Sequence, residues 1–138
     1  MSQTVRLYAA SLPGPLGFVA SHYWFTVSTG EQCDRWEVWQ RPGAGGRCVG
    51  HLHCNLKAPE ADVGGGPARR VAQWHGAEAA RLKEALERAH GAYPFCHRYL
   101  PWPGPNSNTF VAWVLRRAGI DFQLPSNAIG RDFRWPER

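Results

Sequence analysis

A chain of 138 residues is long enough for one hydrophobic core and too short for two comfortable ones, so residues 1–138 are expected to form a single domain. Hydrophobic residues make up 43% and charged residues 20%, ordinary for a soluble globular protein, and nowhere do enough apolar residues run together to span a membrane. The net charge is +5 and all but two of the 16 basic residues are Arg, but no basic run exceeds a pair and acidic residues sit among them, which argues against nucleic acid as a specific partner.

The N-terminal stretch MSQTVRLYAASLPGPLGF lacks a basic region followed by a sustained apolar one, so no secretory signal is expected and the cytoplasm is the expected location. VRLYAAS (5–11) reads as a strand, ended by Pro13-Gly14-Pro15 and Gly17. FVASHYWFTV (18–27) is a second β-prone run, closed by Ser28-Thr29-Gly30. Its alternation puts Ala20, His22, Trp24 and Thr26 on one face, opposite Val19, Ser21, Tyr23, Phe25 and Val27. RWEVWQ (35–40) and RCVGHLHCNL (47–56) read as a third and fourth strand, paired as consecutive hairpins. Residues 58–67, rich in Pro and Gly, form a loop. Apolar residues at three- and four-residue steps predict a helix over 76–90, stopped by Gly91. After an irregular connector over 93–102, a second helix is predicted over 108–118, and residues 124–138 read as a tail that packs by its Ile and aromatics. The sum is α+β: an antiparallel sheet of about four to six strands packed with two helices.

The segment WPGPNSNTFVAWVLRRAG (102–119) carries the question of function. Ser and Asn at a helix start accept hydrogen bonds from unpaired backbone N–H groups, so capping alone accounts for Asn106, Ser107 and Asn108. The same position suits a nucleophile, because the positive end of a helix stabilises an oxyanion; backbone N–H groups near Asn108 are the candidate donors. A serine there needs a base. His22 is the best-placed base, an imidazole interrupting an apolar and aromatic strand beside Trp24. Glu37, in the middle of W-E-V-W, would orient that histidine, or would simply pair with Arg35. Cys48-x2-His51-x-His53-Cys54 has the look of a metal set. On a flat strand, however, its cysteines and histidines face opposite ways, so neither metal nor cofactor is expected, while His51 and His53 stay candidates for a polar site. The four cysteines, irregularly spaced, are expected to be free thiols.

Taken together, WPGPNSNTFVAWV, LPSNAIGRDF (124–133), the His22 strand, RWEVW (35–39), GHLH and YPF (93–95) resemble an uncharacterised bacterial domain-of-unknown-function family, number 3750, with a GPNSNTF core. A wider likeness is to circularly permuted papain-like proteins of the NlpC type and to lecithin:retinol acyltransferase-like enzymes. These place a histidine on an early strand and later a Cys at a helix start. That likeness implies a permuted papain-like scaffold, with His22 as base, Ser107 in the nucleophile's place, and Glu37, His51 or His53 as the third polar member. Ser107 stands where those enzymes carry cysteine, so the resemblance allows an amidase, peptidase or acyl-transfer hydrolase. It equally allows a non-catalytic binding module that uses the same cleft. The partner implied is a small-molecule, peptide or acyl substrate.

Overall fold

The computed structural model describes residues 2–134, so the last residues of the expected tail, 135–138, lie outside the described residues. In chain order the strands are β1 (Gln3–Ser11), β2 (Ser21–Thr29), β3 (Gln32–Val38), β4 (Arg47–Val49), β5 (Leu52–Cys54) and β6 (Arg69–Trp74). They are followed by helices α1 (Gly76–Ala92) and α2 (Ser107–Arg117). The strands form one antiparallel sheet in the order β4-β5-β3-β2-β1-β6, so the fold is α+β as expected.

The larger departures from the sequence reading are two misread runs and one missed strand. The run expected to start a strand at residue 18 is first a 3-10 helix over Gly14–Phe18, which leaves Phe18 92% exposed. A β-prone composition could not prevail there, because the strand that would pair with it has already turned away at Pro13. The single strand expected over 47–56 is instead a hairpin, β4 and β5, turning at Gly50-His51. Gly50 makes that turn with φ +58°, and a Cβ there would overlap the Cys96 carbonyl. Strand β6 was not foreseen; Arg69 and Arg70 hid a run that pairs with β1 at the sheet edge.

The alternation expected in β2 is the one observed. Tyr23, Phe25 and Val27, with Val5, Leu7, Trp36 and Val38 from neighbouring strands, join Leu82, Leu86, Phe110 and Val114 of the helices in the main core. The opposite face carries Tyr8, Ala10 and Trp24 as a smaller apolar cluster, together with the buried polar side chains His22, Arg35, Glu37 and His53. The Pro/Gly loop covers that face. Trp24 Nε1 donates to the Pro59 carbonyl at 2.8 Å, and Val63 and Ala68 pack on the cluster. The expected loop therefore covers a second, polar layer.

Candidate functional site

The start of α2 resolves the ambiguity of Asn106-Ser107-Asn108 by giving each residue a different task. Asn106 alone is the N-cap: its Oδ1 accepts from the backbone N–H groups of Asn108 (2.9 Å) and Thr109 (3.2 Å). Thr109 Oγ1 accepts from the Asn106 N–H at 3.1 Å, closing a capping box. Asn106 Nδ2 also donates to the carbonyls of Pro101 (2.9 Å) and Ile129 (3.0 Å). The helix therefore begins at Ser107, one residue earlier than predicted, and Ser107 is not a cap. Its hydroxyl makes no hydrogen bond to another side chain among the described residues.

Asn108 ties the helix to the sheet. Its Oδ1 accepts from the Tyr23 N–H (3.1 Å) and its Nδ2 donates to the Ser21 carbonyl (2.9 Å), bonds that bracket His22 on both sides. The Asn108 N–H, a candidate oxyanion donor on sequence, is already committed to Asn106. The Ser107 backbone N–H has no hydrogen-bond partner among the described residues. The distal A-I-G-R-D motif completes this corner: Ile129 accepts from both Asn106 and Asn108, and Gly130 accepts from Thr109 Oγ1 at 2.7 Å. Gly130 has φ +102°, and a Cβ there would overlap the Asn106 amide, so no larger residue fits. Capping by Asn106 predicts an asymmetry. Asn106→Ala should cost about 2 kcal/mol, the upper end for a lost cap, because the cap is buried. Ser107→Ala should change stability by less than about 0.5 kcal/mol. Urea unfolding of the two variants measures both, and an equal cost would contradict the assignment of the cap.

His22 is 3% exposed, stacked on Trp24 with ring centroids 5.6 Å apart and met edge-on by Trp39 at 5.5 Å. Its Nε2 lies 2.8 Å from Glu37 Oε1. A carboxylate only accepts, so Nε2 carries the proton of this bond. Arg35, fully buried, donates from NH2 to the same Oε1 at 2.8 Å. Its Nε is in ion-pair contact with Oε2 at 2.8 Å, without the alignment of a hydrogen bond. Arg35 also donates to the carbonyls of Ala58 (2.9 Å) and Ala61 (2.7 Å), and its guanidinium lies 3.9 Å over the Trp24 ring. Burial pushes the Glu37 carboxyl up, but the hydrogen bonds and charges of His22 and Arg35 outweigh it and hold the group below its ordinary value. Glu37, fully buried, thus bonds His22 and pairs with Arg35 at once.

His51 and His53 are drawn to other tasks. His51 sits in the β4–β5 turn with Nδ1 2.9 Å from the Trp39 carbonyl and its ring stacked on Tyr99. His53 faces Glu37 across β3 and β5, but its Nε2 accepts from the Ala44 N–H at 3.0 Å and its Nδ1 meets the His51 carbonyl at 2.7 Å. Burial holds His53 below the ordinary histidine range, in keeping with a ring that must accept. Cys48 is exposed and Cys54 buried; among the described residues no cluster of His, Cys, Asp or Glu is arranged to hold a metal. All four cysteines are free, and burial pushes the Cys54 thiol up to about 11 and raises Cys96 as well, so neither is a ready thiolate.

Ser107, His22 and Asn108 line one cleft of about 590 Å³. Trp39, Tyr99 and Trp102 also line it, and nothing in the sequence marked them out from the other aromatics. Among the described residues no helix is long and apolar enough to cross a membrane.

No curated protein and no solved structure matches this chain. A family model described as "Protein of unknown function (DUF3750)" matches residues 2–133, so the chain belongs to that family.

Proposed function

We propose that the chain is an acyl-transfer hydrolase of the amidase or peptidase kind, on a permuted papain-like scaffold with Ser107 in the place of the usual cysteine. The observation that carries this reading is that Ser107, at the first position of α2, and His22, held through Nε2 by Glu37, line the same cleft. Ser107 Oγ adds to the acyl carbonyl carbon while His22 Nδ1 takes its proton and the carbonyl electron pair moves onto oxygen. The oxyanion is met by the Ser107 N–H at the positive end of α2. Collapse expels the leaving group, which takes the proton back from Nδ1, and leaves an acyl ester on Ser107. Water then repeats the sequence, with His22 as base, and restores the hydroxyl. Glu37 remains a carboxylate throughout and stabilises the imidazolium.

A second reading is a non-catalytic binding module using the same cleft. It is favoured by one observation: the Ser107 hydroxyl makes no hydrogen bond to His22. One experiment separates the two. A small alkoxy fluorophosphonate is expected to label the native chain, and labelling should vanish in Ser107→Ala and fall by about 100-fold or more in His22→Ala. Absence of labelling in folded native protein would sink the catalytic reading and leave the binding module.

A further inference from the structure

The cleft is built for one kind of occupant. Its lining joins the hydroxyl, imidazole and amide groups of Ser107, His22 and Asn108 to largely apolar walls, among them Leu12, Leu16, Val19, Val38, Val63 and Trp102. No Asp, Glu, Lys or Arg lines it. A second hollow, of about 420 Å³ near the end of α2, differs in this respect, with Arg116, Arg131 and Asp132 in its lining. A charged side chain or head group entering such walls would lose its hydration with no partner to replace it. Several wall residues are also left in water when the cleft is empty: Leu16 is 56% exposed, Val19 62% and Trp102 76%. Phe18, 92% exposed, adjoins them in the chain. Contiguous apolar surface of this kind marks a place where apolar matter docks.

We propose that the cleft receives a neutral acyl chain, with its carbonyl at Ser107 and its tail along the apolar walls. A molecule with one polar end and a long apolar remainder matches a lining that is uncharged, polar at a few side chains and apolar over much of the rest. The volume lies within the range of sites that enclose most of a small ligand. The orientation of the chain rests on Ser107 as nucleophile; the affinity of the walls for it does not.

The test uses p-nitrophenyl esters from acetate to dodecanoate, kept monomeric. The expected result is a kcat/KM that rises roughly four-fold per methylene until the walls are covered. In Trp102→Asp, the ratio of dodecanoate to acetate turnover should collapse by ten-fold or more. Vesicles of a fluorogenic phosphatidylcholine distinguish the source of the chain: faster turnover on vesicles identifies a membrane lipid, faster turnover of monomers a soluble ester. A parallel titration of Ser107→Ala with dodecanamide, followed by tryptophan fluorescence, should give saturable binding that acetamide does not. Binding of dodecanamide without fluorophosphonate labelling would keep this proposal and sink catalysis. Labelling with a flat chain-length profile would overturn this proposal and leave catalysis standing.

Discussion

Arg35→Met is expected to lower the unfolding free energy by about 3–5 kcal/mol, measured by urea denaturation at neutral pH. The substitution keeps much of the aliphatic length but removes the charge that faces both oxygens of Glu37. Arg35 and Glu37 are each fully buried, so the carboxylate left behind cannot recover its loss from water. The same guanidinium also satisfies the carbonyls of Ala58 and Ala61, which would lose their donor. A cost below about 1 kcal/mol would mean that the carboxylate is not held by this pair. The acid limb should move too. Glu37 has its pKa depressed below 4.5 in the native chain, so its contribution is full above 4.5 and is lost as pH falls through the folded value. Without Arg35, burial has less opposing it, the folded value rises, and the decline begins at higher pH.

Glu37→Gln is expected to slow fluorophosphonate labelling of Ser107 by about 10⁴-fold, the scale of the corresponding carboxylate-to-amide change in serine-protease triads. The amide can present its NH2 to the imidazole, which would fix the proton on Nδ1, the nitrogen that must be free to accept. It also removes the negative charge that stabilises the imidazolium. A merely structural Glu37 would lower stability and leave the labelling rate per folded molecule unchanged. Comparing rate with folded fraction, across pH 5–9, separates the two. A labelling rate within about three-fold of native would remove Glu37 from the triad.

Much of this was legible in the residues. The periodicity of 76–90 and 108–118 gave both helices within two residues at each end, because apolar spacing and glycine stops are local signals. His22 and Glu37 stood out because charged or ionisable groups interrupt apolar strands only when something pairs them. Their actual pairing was readable in principle. Gly30-Glu31 is a two-residue hairpin turn that sets Phe25 opposite Trp36 and so carries Glu37 to a position diagonal to His22. Reading the third strand from 35 instead of 32 hid that register and left His51 and His53 as rivals. The division of labour in Asn106-Ser107-Asn108 was not legible. Three small polar residues all suit a cap, and only the distant Ile129, Ser21 and Tyr23 backbone groups decide which does so. The cleft was equally hidden, because its walls come from segments far apart in the chain.

The bonds around the start of α2 also impose an order of events on synthesis. His22 and Glu37 are 15 residues apart, within one hairpin, whereas Tyr23 meets Asn108 across 85 residues and Asn127 across 104. Closing the longest of these loops costs about 1.7 kcal/mol more chain entropy than closing the shortest. A chain still leaving the ribosome can thus pair His22 with Glu37 early. The serine's own corner stays unfinished until residues 127–130 have emerged to bind Tyr23, Asn106, Asn108 and Thr109. A nascent chain that has not yet reached residues 127–130 would therefore have His22 and Glu37 paired while the corner around Ser107 is still unfixed.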